Sequence, residues 1–404
     1  MQLIWTPFSC RTSKIEILTS HPFYLVSYLT YSSVLLSQIQ AALYPTMAHI
    51  KRDPMVPELG FWEKTDVQLG KLTILANVLY AAITGVFRGK GSPKFYSAHL
   101  LATAVRTTVD RFSARQTQYM SPPTPETYKA VMKKRGLEPE TVTLPHDTEG
   151  YWMGNKDAKN VVIFFHGGGF VLAAVAPHFE FWLNVLKTLN ENGHDIAVFI
   201  PRYTQSPHAT YPTQLRQAAG ALSYILNETG RSPSNIVVGG DSAGGNLAMA
   251  LLLHLSHPHP EIDPISLSTP LAGVFGLAPW VNFSTDWPSF KDNAYKDLLT
   301  ERVLNEWSAT YHGGKEHDAW SEPDRAPAEW WADAKTECIL ILAGSDELLL
   351  SPIDSFAKKV KAVFPNTTYI VGVDEPHDMP FYGNPGPDGA YTGNELRQWV
   401  ASRL

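Results

Sequence analysis

Only two cysteines, Cys10 and Cys338, occur in the 404 residues of this chain. Two thiols so far apart build no disulfide framework. Neither stands in zinc-ligand spacing, so no metal is expected. Runs of lysine or arginine are missing too, and the formal net charge is −6 with a pI near 6.2. That balance excludes nucleic acid as a partner, and equally an anionic surface read by charge. Charged residues make up 18% against 44% hydrophobic. The composition therefore excludes a disordered chain and supplies a large core. There is no internal repeat and no low-complexity segment. The glycine-rich stretches lack both the Lys-Ser/Thr ending of a P-loop and G-x-G-x-x-G spacing. No cofactor is expected.

A different absence marks the N-terminus. From Ile17 to Ile50 there is no Asp, Glu, Lys or Arg. Within it, residues 23–44 are long enough to cross a bilayer as a helix, although Ser, Thr and Gln interrupt the apolar run. Three readings stand side by side: a membrane anchor, a poorly ordered extension, or a gene-model error with Met47 as the real start. Further on, Leu72, Leu75, Leu79, Ala82 and Val86 recur at helical spacing, with Val78 and Ile83 widening the stripe. Such a stripe packs on the core, covers a pocket or lies on a membrane. Residues 121–125 (Ser-Pro-Pro-Thr-Pro) read as a linker or turn.

From about residue 151 the pattern changes. Apolar runs at 161–165, 196–200, 235–239, 271–277, 338–342 and 367–373 read as strands. Helical stretches such as Thr213 to Leu226 and Gly245 to Leu255 lie between them. Near-continuous apolar strands alternating with helices predict an α/β fold with a mostly parallel sheet covered on both faces. The division expected is 1–46 as extension or anchor, 47–150 as helical cap or lead-in, and 151–404 as the α/β domain. In that reading Cys338 is an inert core thiol.

Three segments carry chemistry. Gly240-Asp241-Ser242-Ala243-Gly244 matches the G-x-S-x-G elbow, with a strand leading in and an apolar helix leading out. The small residues let the chain turn sharply, which lifts the Ser242 hydroxyl above the sheet and near a positive helix N-terminus. His166-Gly167-Gly168-Gly169 directly follows a strand, and consecutive glycines let backbone N–H groups approach a substrate oxygen. Gly167, Gly168 and Ala243 are the expected oxyanion donors, with His166 organising the loop. The third part is an acid and a base. Triad order in this class is Ser, then Asp or Glu, then His. Asp346, just past strand 338–342, is the expected acid; Glu347 and then Asp354 are the alternatives. His377, just past strand 367–373, is the expected base. His254, His257 and His259 cluster after a helix and read as a surface loop, not a metal site.

These motifs resemble the hormone-sensitive-lipase-like (GDXG) branch of the α/β-hydrolases. Within it, residues 212–217, 253–260 and 278–280 resemble fungal steryl acetyl hydrolases and esterases of secondary-metabolite pathways. The resemblance covers roughly residue 92 to the end. It implies an α/β-hydrolase fold with an N-terminal cap, and hydrolysis of carboxylic esters, often small acyl groups on bulky apolar alcohols. It carries the nucleophile onto Ser242, the oxyanion loop onto Gly167 and Gly168, and the base onto His377. Two departures matter: Glu347-Leu348 follows Asp346 where the family has Pro-Leu, and residues 203–208 (Tyr-Thr-Gln-Ser-Pro-His) replace a Tyr-x-Leu-Ala-Pro-Glu stretch. Because steryl acetyl hydrolases are anchored at the N-terminus, the resemblance also favours the anchor reading.

The expected activity is thus a serine carboxylesterase or deacetylase acting on an apolar metabolite or sterol ester. Two rival functions use the same fold: acyl transfer or another non-hydrolytic tailoring step, and ligand binding without turnover. The expected partner is a small-molecule ester, with membrane association through the N-terminal segment. The expected localisation is membrane-associated, at the endoplasmic reticulum, or else cytoplasmic. Three Asn-x-Ser/Thr triplets, at Asn227, Asn282 and Asn366, carry weight only if the domain is luminal. Oligomeric state is not legible in the sequence.

Overall fold

In a computed structural model of the chain, residues 53–89, 91–382 and 389–404 are described. The 23–44 anchor candidate lies outside them. The frame is an eight-stranded sheet in the order β1-β2-β4-β3-β5-β6-β7-β8. Six strands fall where the apolar runs predict them: β3 (Asn160–Phe165), β4 (Ile196–Pro201), β5 (Ile236–Asp241), β6 (Gly273–Leu277), β7 (Ile339–Gly344) and β8 (Thr367–Gly372). These six pair in parallel. Two more, β1 (Glu140–Leu144) and β2 (Thr148–Met153), form an antiparallel hairpin at one edge, and β2 pairs antiparallel with β4. The sheet therefore begins at Glu140, inside the stretch expected to be lead-in. Polar Glu-Thr-Val-Thr in a mostly exposed edge strand gives no apolar run to detect.

All six residues of β3 are buried, and so are those of β4 to β7. Alternation divides them between two cores. Val161, Ile163 and Phe165 face α6 (Thr213–Asn227), α7 (Ser242–Ser256) and α10 (Leu350–Val363). Val162 and Phe164 face α5 (Ala176–Glu191), α12 (Tyr391–Arg403) and α4 (Thr124–Lys134). With both faces covered, the polar chemistry is left to the strand ends.

The lead-in is helical. It comprises α1 (Phe61–Thr84), α2 (Tyr96–Arg111), α3 (Ala114–Met120) and α4. Helix α1 packs along α2: Gly70 lies so near the Phe112 ring that a Cβ there would stand 2.3 Å from it. Asp66–Arg111 stitches the pair, and Glu63–Arg115, at 3.2 Å, ties α1 to α3. Helix α2 meets the α/β body through Leu101 and Ala102 against Leu298, and Arg106 donates to the Asp297 carbonyl at 3.1 Å. Between β6 and β7 the chain adds α8 (Pro288–Asp292) and α9 (Glu301–His312). Short α11 (Met379–Tyr382) follows β8.

Candidate active site

Strand β5 ends at Asp241, and α7 begins at once with Ser242. No residue is left over for a loop, so Ser242 takes φ +51°. A non-glycine residue held there stores about 1–3 kcal/mol of strain. Its neighbours must be small: a Cβ on Gly244 would sit 1.9 Å from the Phe165 carbonyl oxygen, and one on Gly240 would sit 2.4 Å from the same atom. Trp280 N–H donates to the Ser242 carbonyl at 3.0 Å and fixes the turn. Ser242 is 5% exposed at the N-terminus of a 15-residue helix, whose dipole favours negative charge beside it.

Next to the elbow, β3 runs into the glycine loop. Here one expectation is corrected. The Gly167 N–H donates to Asp241 Oδ1 at 2.9 Å, so it is not available as an oxyanion donor. The N–H groups of Gly168, Gly169 and Ala243 donate no hydrogen bond among the described residues. The loop N–H groups left unengaged are thus those of Gly168 and Gly169. Trp307 of α9 backs the loop so closely that a Cβ on Gly169, at φ +59°, would lie 2.1 Å from its ring. His178 of α5 completes the brace. Its Nδ1 accepts from Val175 N–H at 3.1 Å, which leaves Nε2 to donate to Asp241 Oδ2 at 3.3 Å. His166 is fully buried, and its Nδ1 donates to the Gly167 carbonyl at 2.8 Å. The Tyr203 ring stacks on it at 4.4 Å while the phenol donates to the His166 carbonyl. Burial pushes His166 down to about 4, so a neutral ring sits under the loop as a structural post.

The carboxylate partner of His377 is the second correction. His377 Nδ1 donates to Glu347 Oε2 at 2.8 Å, and Glu347 Oε1 accepts from Gly344 N–H at 2.8 Å. Asp346 points elsewhere, to Lys296 Nζ at 3.1 Å. The local reason is the backbone after β7. Asp346 N–H donates to the Glu375 carbonyl at 2.9 Å, which ties that residue against the neighbouring loop. The next residue, with one more methylene, reaches back over the strand end. Asp354 pairs with Lys358 on α10. Glu347 is completely buried. Burial pushes its carboxyl up, opposed by the His377 bond. For His377 the balance runs the other way. Burial works to lower it, but the Asp378 and Glu347 carboxylates raise it well above the ordinary histidine value.

Three further carboxylates shape the site, and two of them, Asp297 and Asp378, have no motif to announce them. Asp241 occupies the variable position of the elbow and holds the glycine loop. Asp297, fully buried, accepts from Leu348 N–H at 2.6 Å and from His377 N–H at 3.2 Å, and so clamps the acid loop to the base loop. Asp378 stands beside His377. Only the tertiary fold brings these groups together. Away from the site, His254 accepts from His259 N–H at 3.0 Å and closes the end of α7. Among the described residues no group of three His, Cys, Asp or Glu side chains could hold a metal.

This arrangement has relatives. The family Abhydrolase_3, described as the alpha/beta hydrolase fold, matches residues 162–381, more than half of the chain. Steryl acetyl hydrolase 1 of Saccharomyces cerevisiae is 27% identical over 50% of this chain and 48% of its own length. An acetyl-hydrolase of Streptomyces hygroscopicus is 24% identical over 53% of this chain and 66% of its own. The chain thus spans about half to two thirds of the length of these curated relatives. Among solved structures, an esterase from the bacterial hormone-sensitive lipase family superposes with a TM-score of 0.59, at 20% identity, covering 76% of this chain and 97% of that one. Carboxyl esterase 2 of Tuber melanosporum gives 0.54 at 19% identity, covering 65% and 84%. At such identities the superpositions speak for the fold alone. The chain belongs to the Abhydrolase_3 family of the alpha/beta hydrolase fold.

Proposed function

We propose that the chain is a serine carboxylic ester hydrolase that works through Ser242, His377 and Glu347. The observation that carries this reading is the strained elbow at Ser242, set beside a glycine loop with unengaged N–H groups. Ser242 Oγ attacks the ester carbonyl while its proton passes to His377 Nε2. The oxyanion falls to the N–H groups of Gly168, Gly169 and Ala243, each worth about 2.7–4 kcal/mol in the transition state. Glu347 fixes the tautomer, with hydrogen on Nδ1, and steadies the imidazolium. That imidazolium then protonates the leaving alcohol. Water, activated by the same histidine, releases the acid from the acyl-enzyme.

The names of the relatives favour an acetyl ester, in one case a steryl one, and the resemblance to secondary-metabolite esterases widens the reading to other apolar alcohols. Hydrolysis of p-nitrophenyl esters from acetate to long acyl chains tests this. Turnover of short esters by the wild type and not by Ser242→Ala supports it. A preference for long chains turns the reading towards a lipase. A folded wild type that neither turns over esters nor reacts with a fluorophosphonate at Ser242 overturns it.

Membrane association belongs to the same reading, and the described helix that supports it is α1. Its inner stripe of Val67, Gly70 and Ala81 is buried. Its outer side presents Leu72, Leu75, Leu79, Tyr80 and Ile83 to solvent, then Val86 and Phe87 at 88% exposure. Between Leu69 and Phe87 the single Asp, Glu, Lys or Arg is Lys71, which is half-buried. Residues 61–87 are long and apolar enough to cross a membrane. Because α1 also packs along α2, it suits the surface of a bilayer, with its outer side among acyl chains. That favours a membrane-associated localisation over a freely cytoplasmic one.

A further inference from the structure

The Nε2 side of His377 is not open. Asp378 Oδ2 stands 3.1 Å from it, at angles that make a charge contact and not a hydrogen bond. Nε2 and Asp378 Oδ1 are both buried without a hydrogen-bond partner. Asp378 itself is buried, and its backbone lies in the left-handed region at φ +52°. With Glu347 on Nδ1, the imidazole is held between two carboxylates, one on each ring nitrogen.

We propose that Asp378 is a positioning residue that holds the Nε2 face of His377 at rest and must release it before Ser242 can engage. This rests on the serine-hydrolase reading above. Nε2 can accept the Ser242 proton only if it carries no hydrogen. At rest the Asp378 charge favours a hydrogen on Nε2. That Nε2–H bond must break and its proton pass to water, turning imidazolium into neutral imidazole. Nε2 then presents a lone pair to Ser242 Oγ.

The surroundings set the charge at this contact. Facing Asp378 are His377 and, beyond it, Glu347 from the loop after β7. Asp241 approaches from the end of β5, itself engaged by His178 of α5. Asp297 lies in the segment before α9, and the Tyr382 phenol comes from α11. Burial pushes the Asp378 carboxyl up to about 7, opposed by His377 and reinforced by Asp241 and Glu347. The sign for His377 follows. Two carboxylates raise it, so removing one lowers it, and the acid limb of reactivity moves to lower pH.

The test is the rate at which a fluorophosphonate labels Ser242 in the full chain, followed against pH, with circular dichroism to check folding. The variants are Asp378→Asn, Asp378→Gly (which tolerates the positive φ) and Asp378→Glu. In Asp378→Asn and Asp378→Gly the acid limb is expected to move down by about one to three pH units, with Asp378→Glu returning towards wild type. A limb that stays put in a folded Asn or Gly variant overturns the proposal. Absence of labelling in the wild type at every pH would instead overturn the serine-hydrolase reading beneath it.

Discussion

Glu347, and not its neighbour Asp346, receives the Nδ1 hydrogen of His377, at 2.8 Å. Glu347→Gln keeps the shape and removes the charge that steadies the imidazolium. Its kcat on p-nitrophenyl acetate should fall about 10³–10⁴-fold. Asp346→Asn should stay within about threefold of wild type, since that carboxylate pairs with Lys296. The reverse pattern would return the role to Asp346.

Asp241 should matter for stability as well as rate. Asp241→Ala strands the Gly167 N–H and removes the partner of His178 Nε2. The expected loss is about 2–4 kcal/mol in urea unfolding. Asp241→Asn, which keeps an acceptor for Gly167, should lose less than half as much. Equal losses would mean that the bond to the glycine loop is not what Asp241 contributes.

A methyl at Gly169 should jam the oxyanion loop. The new Cβ would meet the Trp307 ring at 2.1 Å while the backbone is held at φ +59°. Gly169→Ala is expected to lower kcat by at least about 10²-fold, the worth of one oxyanion donor, with KM changed far less. Adding Trp307→Ala relieves the collision but not the φ penalty, so recovery should be partial. Full recovery would show that the backbone conformation there costs nothing.

His166 contributes a pH dependence of folding whose sign is fixed. Its pKa lies at about 4 in the folded chain against 6.5 unfolded. Below 6.5 the unfolded chain binds a proton that the native ring refuses, so stability present above 6.5 is lost as pH falls towards 4. The loss amounts to about 3 kcal/mol. The unfolding free energy of His166→Asn, which lacks the titrating ring, should fall less steeply than that of the wild type across this window. Parallel curves would exclude the mechanism.

The outer side of α1 is testable by depth. A fluorophore on Leu79→Cys, in a full chain with Cys10→Ser, should be quenched by brominated phospholipids in vesicles. One on exposed Asp157→Cys should not. Leu72→Lys with Ile83→Lys should abolish the quenching at 79. If these two substitutions instead convert a dimer to a monomer in light scattering, with no quenching before or after, a second copy covers this side.

Much of this fold is legible in the sequence, because strands buried on both faces leave unbroken apolar runs. The turn at Ser242 is legible as well, since only small residues fit beneath Phe165 and a helix must start without a loop. Other parts are not. Which of two adjacent acids reaches His377 depends on where one backbone N–H, that of Asp346, finds its acceptor across the loop. Which glycine N–H stays unengaged depends on Asp241, 74 residues away. The β1–β2 hairpin hides because its outer strand is polar, and Asp297 and Asp378 hide because no local pattern surrounds them.

The bond from Gly167 to Asp241 makes one bracket of two segments that look independent along the chain. The residue just before the serine sets the height of the glycine loop, so reactive hydroxyl and anion cradle share a fixed spacing whatever ester arrives. Natural or engineered divergence in substrate must then be written into what surrounds this bracket, beginning with Trp307 on α9. An elbow transplanted from a relative without its matching acid would bring its serine and leave its cradle behind.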